Sequence, residues 1–310
     1  MNPQDLLRSG LAILLLSVAW MPQPAIAQST CGPLDVAILI DTTGSMLGAI
    51  DNVKAEANNL VDKIVAASGG DYQLALVTFQ DSIVVLTDLQ PGTADGIKAQ
   101  IGGLQASAGN SVAEASDEAL NTVINRLSTS AGRPQSGNFS GIWRAGDVTK
   151  IIILITDAPP GGFDDLYEWG VDDLSAAIRT QEANANDLLI TAVYVPTAEG
   201  LVVGANLPSA PSAINIVNDE NAAIAEQLMR NYATGTGGGF VKTAQDGQGT
   251  ARAIEISITE CGRTFDVNTD PGGDGDLNEP VSVPEPITVV LFGAGLAGVA
   301  GVVRRRRKEQ

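Results

Sequence analysis

The stretch Leu34-Asp35-Val36-Ala37-Ile38-Leu39-Ile40-Asp41-Thr42-Thr43-Gly44-Ser45 decides the fold. Six of its first seven residues are apolar, a continuous run of the kind a strand shows when both of its faces are covered, as in a parallel sheet. The run stops at Asp-Thr-Thr-Gly-Ser, and helical periodicity begins at once, near residue 46. Similar runs recur at 72–79 (YQLALVTF), 150–156 (KIIILIT) and 188–195 (LLITAVYV). Helical patterns near 46–67, 94–104, 112–127, 173–185, 219–231 and 249–259 fall between them or close the series. A short run at 82–86 is expected as an antiparallel edge strand, and Val241, after the glycines at 237–239, as the last strand. This alternation predicts an α/β fold: a three-layer, doubly wound, mostly parallel sheet flanked by helices, Rossmann-like in plan. The stretches 129–147 and 197–218, rich in small and polar residues, read as surface insertions.

Open α/β sheets bind ligands at the carboxyl ends of their strands. Asp41, Thr43 and Ser45 stand at such an end, spaced so that a tight turn can aim one carboxylate and two hydroxyls at a common point. That donor set suits a hard cation such as Mg²⁺. The strand IIILIT runs directly into Asp157 and brings a second carboxylate to the same edge. Each residue alone has an ordinary structural role, Thr43 or Ser45 as a helix N-cap and an aspartate as a turn cap. Together, in this strand context, they point to a metal site.

A strand followed by D-x-[ST]-x-S, and later a strand ending in Thr-Asp, resembles the metal-ion-dependent adhesion site of von Willebrand factor A (VWA) domains, also found in integrin inserted domains. Trp143-Arg144-Ala145-Gly146 leading into KIIILITDAPP, and the order of elements from about 31 to 262, extend the likeness. The resemblance implies Mg²⁺, or Mn²⁺ or Ca²⁺, held by Asp41, Thr43 and Ser45 from the first loop and by Asp157 from the third. The family's middle loop maps onto Ser107-Ala108-Gly109-Asn110-Ser111, with Ser111 as its ligand and Asn110 as the alternative. Thr43 replaces the usual serine and keeps the hydroxyl; the middle loop departs from the commoner Thr or Asp forms. The family's open metal position accepts a carboxylate from a protein partner, which implies adhesion or assembly and no enzymatic turnover.

Two other readings compete. D-x-T-G-S after an apolar strand also resembles the phosphoryl-accepting loop of haloacid-dehalogenase-like phosphatases, with Asp41 as nucleophile. Those enzymes need a positioned lysine and a late acidic pair, and TDAPPGG lacks the pair. The second is a structural matrix component without a working metal site.

The chain ends carry their own signals. Residues 11–19 (LAILLLSVA) follow Arg8 and precede Ala25-Ile26-Ala27, predicting a signal peptide over 1–27 and hence export. Val283-Pro284-Glu285-Pro286, an uncharged run from Ile287 to Val303 and a basic end from Arg304 to Lys308 closely resemble the PEP-CTERM sorting signal of Gram-negative bacteria, read by an exosortase. That likeness makes 284–310 a sorting segment with a transmembrane helix, placing the domain outside the cytoplasm, then at the cell surface or in extracellular matrix if processed. Gly293-Ala294-Gly295-Leu296-Ala297-Gly298 fits GxGxxG but lacks the acidic residue and following chain that nucleotide binding requires.

Between a VWA-like body at 31–262 and the tail lies an acidic linker, 263–283. Asp266, Asn268, Asp270, Asp274 and Asp276 resemble a calcium loop, although Pro271 and Leu277 occupy the positions of its glycine and closing glutamate; a flexible linker and a weak Ca²⁺ site both remain open. Cys31 and Cys261, the only cysteines, flank the body and most simply form one disulfide in an exported protein. The chain has 18 basic and 36 acidic residues and no histidine. Removing 1–27 and 284–310 takes away six basic and three acidic residues and leaves a body near −21. Such a surface repels nucleic acid and attracts cations, and without imidazole any metal site must use oxygen donors.

Overall fold

The computed structural model describes residues 31–107, 113–163, 167–168, 170–197 and 213–268, with backbone alone for 213–221. The segments expected as signal peptide and transmembrane helix lie outside these residues. Among those described, no helix is long and apolar enough to cross a membrane.

The chain runs β1 (Leu34–Asp41), a 3-10 turn (Gly44–Met46), α1 (Leu47–Ala67), β2 (Tyr72–Phe79), β3 (Ile83–Gln90), α2 (Ala94–Gly102), α3 (Ser116–Ile124), β4 (Gln135–Ser136), β5 (Thr149–Thr156), α4 (Asp172–Ala185), β6 (Leu189–Tyr194), α5 (Ala213–Thr236), β7 (Phe240–Lys242), α6 (Thr250–Thr259) and β8 (Asp266–Asn268). The eight strands form one sheet in the order β4-β3-β2-β1-β5-β6-β7-β8, parallel throughout except where β3 pairs antiparallel with β2. β1 lies inside it, with Ile38 opposite Leu76 on one side and Ile153 on the other, and all eight of its residues are buried.

The pleat sends alternate β1 side chains into separate cores. Val36, Ile38 and Ile40 join the layer of α1, α2 and α6; Ala37 and Leu39 join that of α3, α4 and α5. α1 buries Ile50, Val53, Ala57, Leu60, Val61 and Ile64, a helical stripe that covers β1 and seats the helix N-terminus beyond the end of that strand. Asp35, the second residue of β1, is fully buried and held by Arg144, whose Nε and backbone N both donate to its carboxylate at 2.7 Å.

Several expected boundaries shift. The run at 82–86 extends to Gln90 as antiparallel β3, yet it is not an edge, because β4, drawn from the 129–147 insertion, pairs outside it. α3 begins at Ser116, and α5 begins at Ala213, inside the stretch expected to be an insertion. The sheet also continues past residue 262: β8 adds Asp266–Asn268 beside β7, within the expected linker. Cys31 and Cys261 are disulfide-bonded.

Candidate metal centre

β1 ends on Asp41, a fully buried carboxylate between two hydroxyl donors. Its Oδ1 accepts hydrogen bonds from Thr43 N at 2.9 Å and Thr43 Oγ1 at 2.7 Å. Its Oδ2 accepts from Thr156 Oγ1, the last residue of β5, at 2.7 Å. Thr43 Oγ1 lies 3.1 Å from Ser45 Oγ, so the Asp-Thr-Thr-Gly-Ser turn draws one carboxylate and two hydroxyls together. Asp157 follows Thr156 directly and is 3% exposed; Thr197, beyond the end of β6, donates its Oγ1 to Asp157 Oδ2 in a short hydrogen bond.

Burial, and next the charge of Asp157, raise the Asp41 carboxyl from an ordinary 3.8 to about 7, against the opposing hydrogen bonds from Thr43 and Thr156. Two aspartates held in one dry place at an acidic strand edge constitute a demand for positive charge. The donors are all oxygen, two of them hydroxyls, which fits a small hard divalent ion. Among the described residues no three His, Cys, Asp or Glu side chains converge on one point.

The first and third loops are fastened to the middle one. Ser107 N donates to Thr42 O at 3.0 Å, and Thr43 and Ser107 form an isolated parallel bridge. Gln80, just past β2, donates from Nε2 to Thr42 O at 2.6 Å and to Ser107 Oγ at 2.7 Å, while its carbonyl accepts from Ala115 N at 3.0 Å. Glu114 N donates to Pro159 O at 3.1 Å and Glu114 O accepts from Gly161 N at 2.9 Å. Asp117, buried at the start of α3, takes Gly162 N at 3.0 Å and Ser175 Oγ at 2.5 Å, and burial raises its carboxyl above the ordinary value. On the other side, a Cβ at Gly48 would lie 1.9 Å from Asp246 O, so only glycine lets the loop after β7 close against the start of α1.

Of the residues singled out in the sequence, Asp41, Thr43 and Ser45 come together, and Asp157 lies close enough to Asp41 to act on its ionisation. Ser111 and Asn110 lie outside the described residues. Asp266 and Asn268 sit in β8, with the Asp266 carboxylate bonded to Arg230; Asp270, Asp274 and Asp276 lie outside the described residues. The sequence reading did not find Thr156, Thr197, Gln80 or Asp117. Thr156 was visible as the residue before Asp157; the other three act through contacts between segments far apart in the chain.

Residues 36–160 match the family described as von Willebrand factor type A domain, and residues 282–307 match the PEP-CTERM protein-sorting motif. No curated protein matches the chain in sequence. Among solved structures it is similar to proximal thread matrix protein 1 from the mussel byssus, at 17% identity and TM-score 0.46, covering 75% of this chain and 47% of that one. It is also similar to a von Willebrand factor type A protein from Catenulispora acidiphila, at 15% identity and TM-score 0.44, covering 74% and 42%. A third is the conserved hypothetical protein BatB from Bacteroides thetaiotaomicron, at 16% and 0.44, covering 74% and 98%. The chain thus spans less than half the length of the first two. A PEP-CTERM motif implies exosortase processing and association with the membrane or cell surface. With the sheet, the strand-end aspartates and both matches in place, the chain carries a von Willebrand factor type A domain ahead of a C-terminal PEP-CTERM sorting motif.

Proposed function

We propose that the protein binds a protein partner through a divalent cation, after export, at the cell surface or in extracellular matrix. Mg²⁺ is the first choice of ion, with Mn²⁺ or Ca²⁺ as substitutes. Asp41, Thr43, Ser45 and Asp157 hold it, with Ser111, or Asn110 in its place, from the middle loop. An ion held by so few charged ligands stays electrophilic, and a carboxylate of the partner fills its open position. The signal segment at 1–27 delivers the domain, the apolar helix at 287–303 holds it at the membrane, and exosortase acts near Pro284-Glu285-Pro286. The linker remains a candidate for weak Ca²⁺ binding through Asp270, Asp274 and Asp276, since Asp266 already has an arginine partner.

The observation that carries this reading is the buried Asp41, its carboxyl pushed up to about 7 beside Asp157 and met by the hydroxyls of Thr43 and Ser45. Its test is Mg²⁺ calorimetry together with capture of surface or matrix proteins, with and without EDTA. The intact chain binds Mg²⁺ and loses its captured protein in EDTA; Asp41→Ala binds neither while its circular dichroism stays that of a folded domain. Capture that persists in EDTA overturns the mechanism.

A further inference from the structure

We propose that a second, metal-free site at the opposite edge of the sheet binds an organic carboxylate. A cavity of about 310 Å³ opens where β5 and β6 begin, lined among others by Thr149, Lys150, Leu188, Leu189 and Arg263. β5 separates it from Asp157 by the strand's full length, roughly 25 Å at about 3.3 Å per residue, so a ligand here does not touch the metal centre.

The cations of this cavity are what set it apart. In a strongly acidic domain, every other lysine and arginine among the described residues has a carboxylate or a carbonyl partner. Arg263 has neither. Lys150 is the second departure: its side chain is only 11% exposed, yet its nearest carboxylate, Asp187, lies 3.9 Å away and is itself 92% exposed. One of the three ammonium hydrogens is used, on Asn186 O at 2.9 Å, which leaves two donors. A largely buried ammonium with a loose counter-ion, on a residue that lines the same cavity as an unpaired arginine, is arranged to receive an anion, Asp187 being the one carboxylate in the lining and itself turned to solvent. Leu188 and Leu189 on the wall suit a short hydrocarbon stem, and the volume is at the small end for ligand sites. The ligand class is therefore a carboxylate on a short aliphatic chain, such as an aspartate or glutamate side chain or a free dicarboxylate.

The probe is glutarate, titrated calorimetrically into the whole chain in EDTA so that no metal offers a rival carboxylate site. Saturable binding is expected in the wild type and in Asp41→Ala alike, weakened at least about tenfold in Lys150→Met and in Arg263→Gln. Arg263 is exposed, so its replacement leaves the fold intact and keeps the result readable should Lys150→Met not fold. Inorganic phosphate, which has no stem, is expected to bind more weakly. In a chain carrying Asp270→Asn, Asp274→Asn and Asp276→Asn, tighter glutarate binding marks the protein's own acidic segment as the occupant, and unchanged binding marks an external carboxylate. Absence of saturable binding, equal affinity in Arg263→Gln, or phosphate binding as tightly as glutarate overturns the assignment.

Discussion

At the scale of single residues, the centre turns on the conflict between burial and charge at Asp41. The metal-free protein resolves that conflict with a proton, since the folded carboxyl titrates near 7 and the unfolded one near 3.8. Between those values the folded state binds a proton that the unfolded state does not, so this group's contribution to stability is full below about pH 4 and declines as pH rises toward 7. Asp41→Asn mimics the protonated form without titrating. In EDTA, the variant is expected to melt higher than wild type at pH 8 and at nearly the same temperature at about pH 3.5, the gap at pH 8 being on the order of a few kcal/mol at most. Melting curves that stay parallel across this range contradict the assignment. If Mg²⁺ binds at Asp41 as proposed, it competes with the same proton and is expected to raise the wild-type melting temperature most at high pH.

At the scale of elements, the first and third loops are legible in the sequence in a way that the middle one, largely outside the described residues, is not, for a physical reason. Asp41 and Asp157 each follow a buried apolar strand, and a strand's end is readable from where its apolar run stops. The middle loop follows no strand; its ends are fixed sideways, by Gln80 to Thr42 and Ser107, and by Glu114 to the loop after Asp157. Nothing in the local pattern around Gln80 marks it as a bracket. Replacing it with alanine removes two donors from partly exposed partners, at about 1 kcal/mol of stability. The larger expected effect is on Mg²⁺ affinity, a loss of about tenfold by calorimetry, because the first and middle loops are no longer held in register. If Gln80→Ala melts lower but binds Mg²⁺ as tightly as wild type, the bracket serves only the fold. β8 was hidden for a related reason: three residues, two of them polar, form a strand only because β7 offers an edge to pair with.

At the scale of the whole molecule, the disulfide closes nearly all of the described body into one ring, with Cys31 before β1 and Cys261 after α6, 230 residues apart in sequence. Closing so long a loop restricts the unfolded chain more than the folded one, and the loop-entropy relation gives roughly 5–6 kcal/mol. Cys31→Ser with Cys261→Ser is expected to lower the urea midpoint by that amount of stability while leaving Mg²⁺ binding at the far edge intact. A midpoint that does not move would show that the ends are held by packing alone. Arg144 ties the same edge without a covalent bond, joining the loop before β5 to the buried Asp35 and, through a short ion pair, to Asp71.

The sequence by itself determined the layered α/β plan, the two strand-end aspartates, the cysteine pairing and the sorting tail. Each of these is written in contiguous residues, as an apolar run, a turn motif or a terminal signal. Only the tertiary structure decided that Asp157 acts on the ionisation of Asp41, that Thr156, Thr197 and Gln80 donate to Asp41, Asp157 and the Thr42 carbonyl, and that Lys150 and Arg263 share a cavity at the opposite edge. Those relations depend on which side chains remain near one another once water has been excluded, and burial and distance across the sheet are properties of the packed chain that no short window of residues contains.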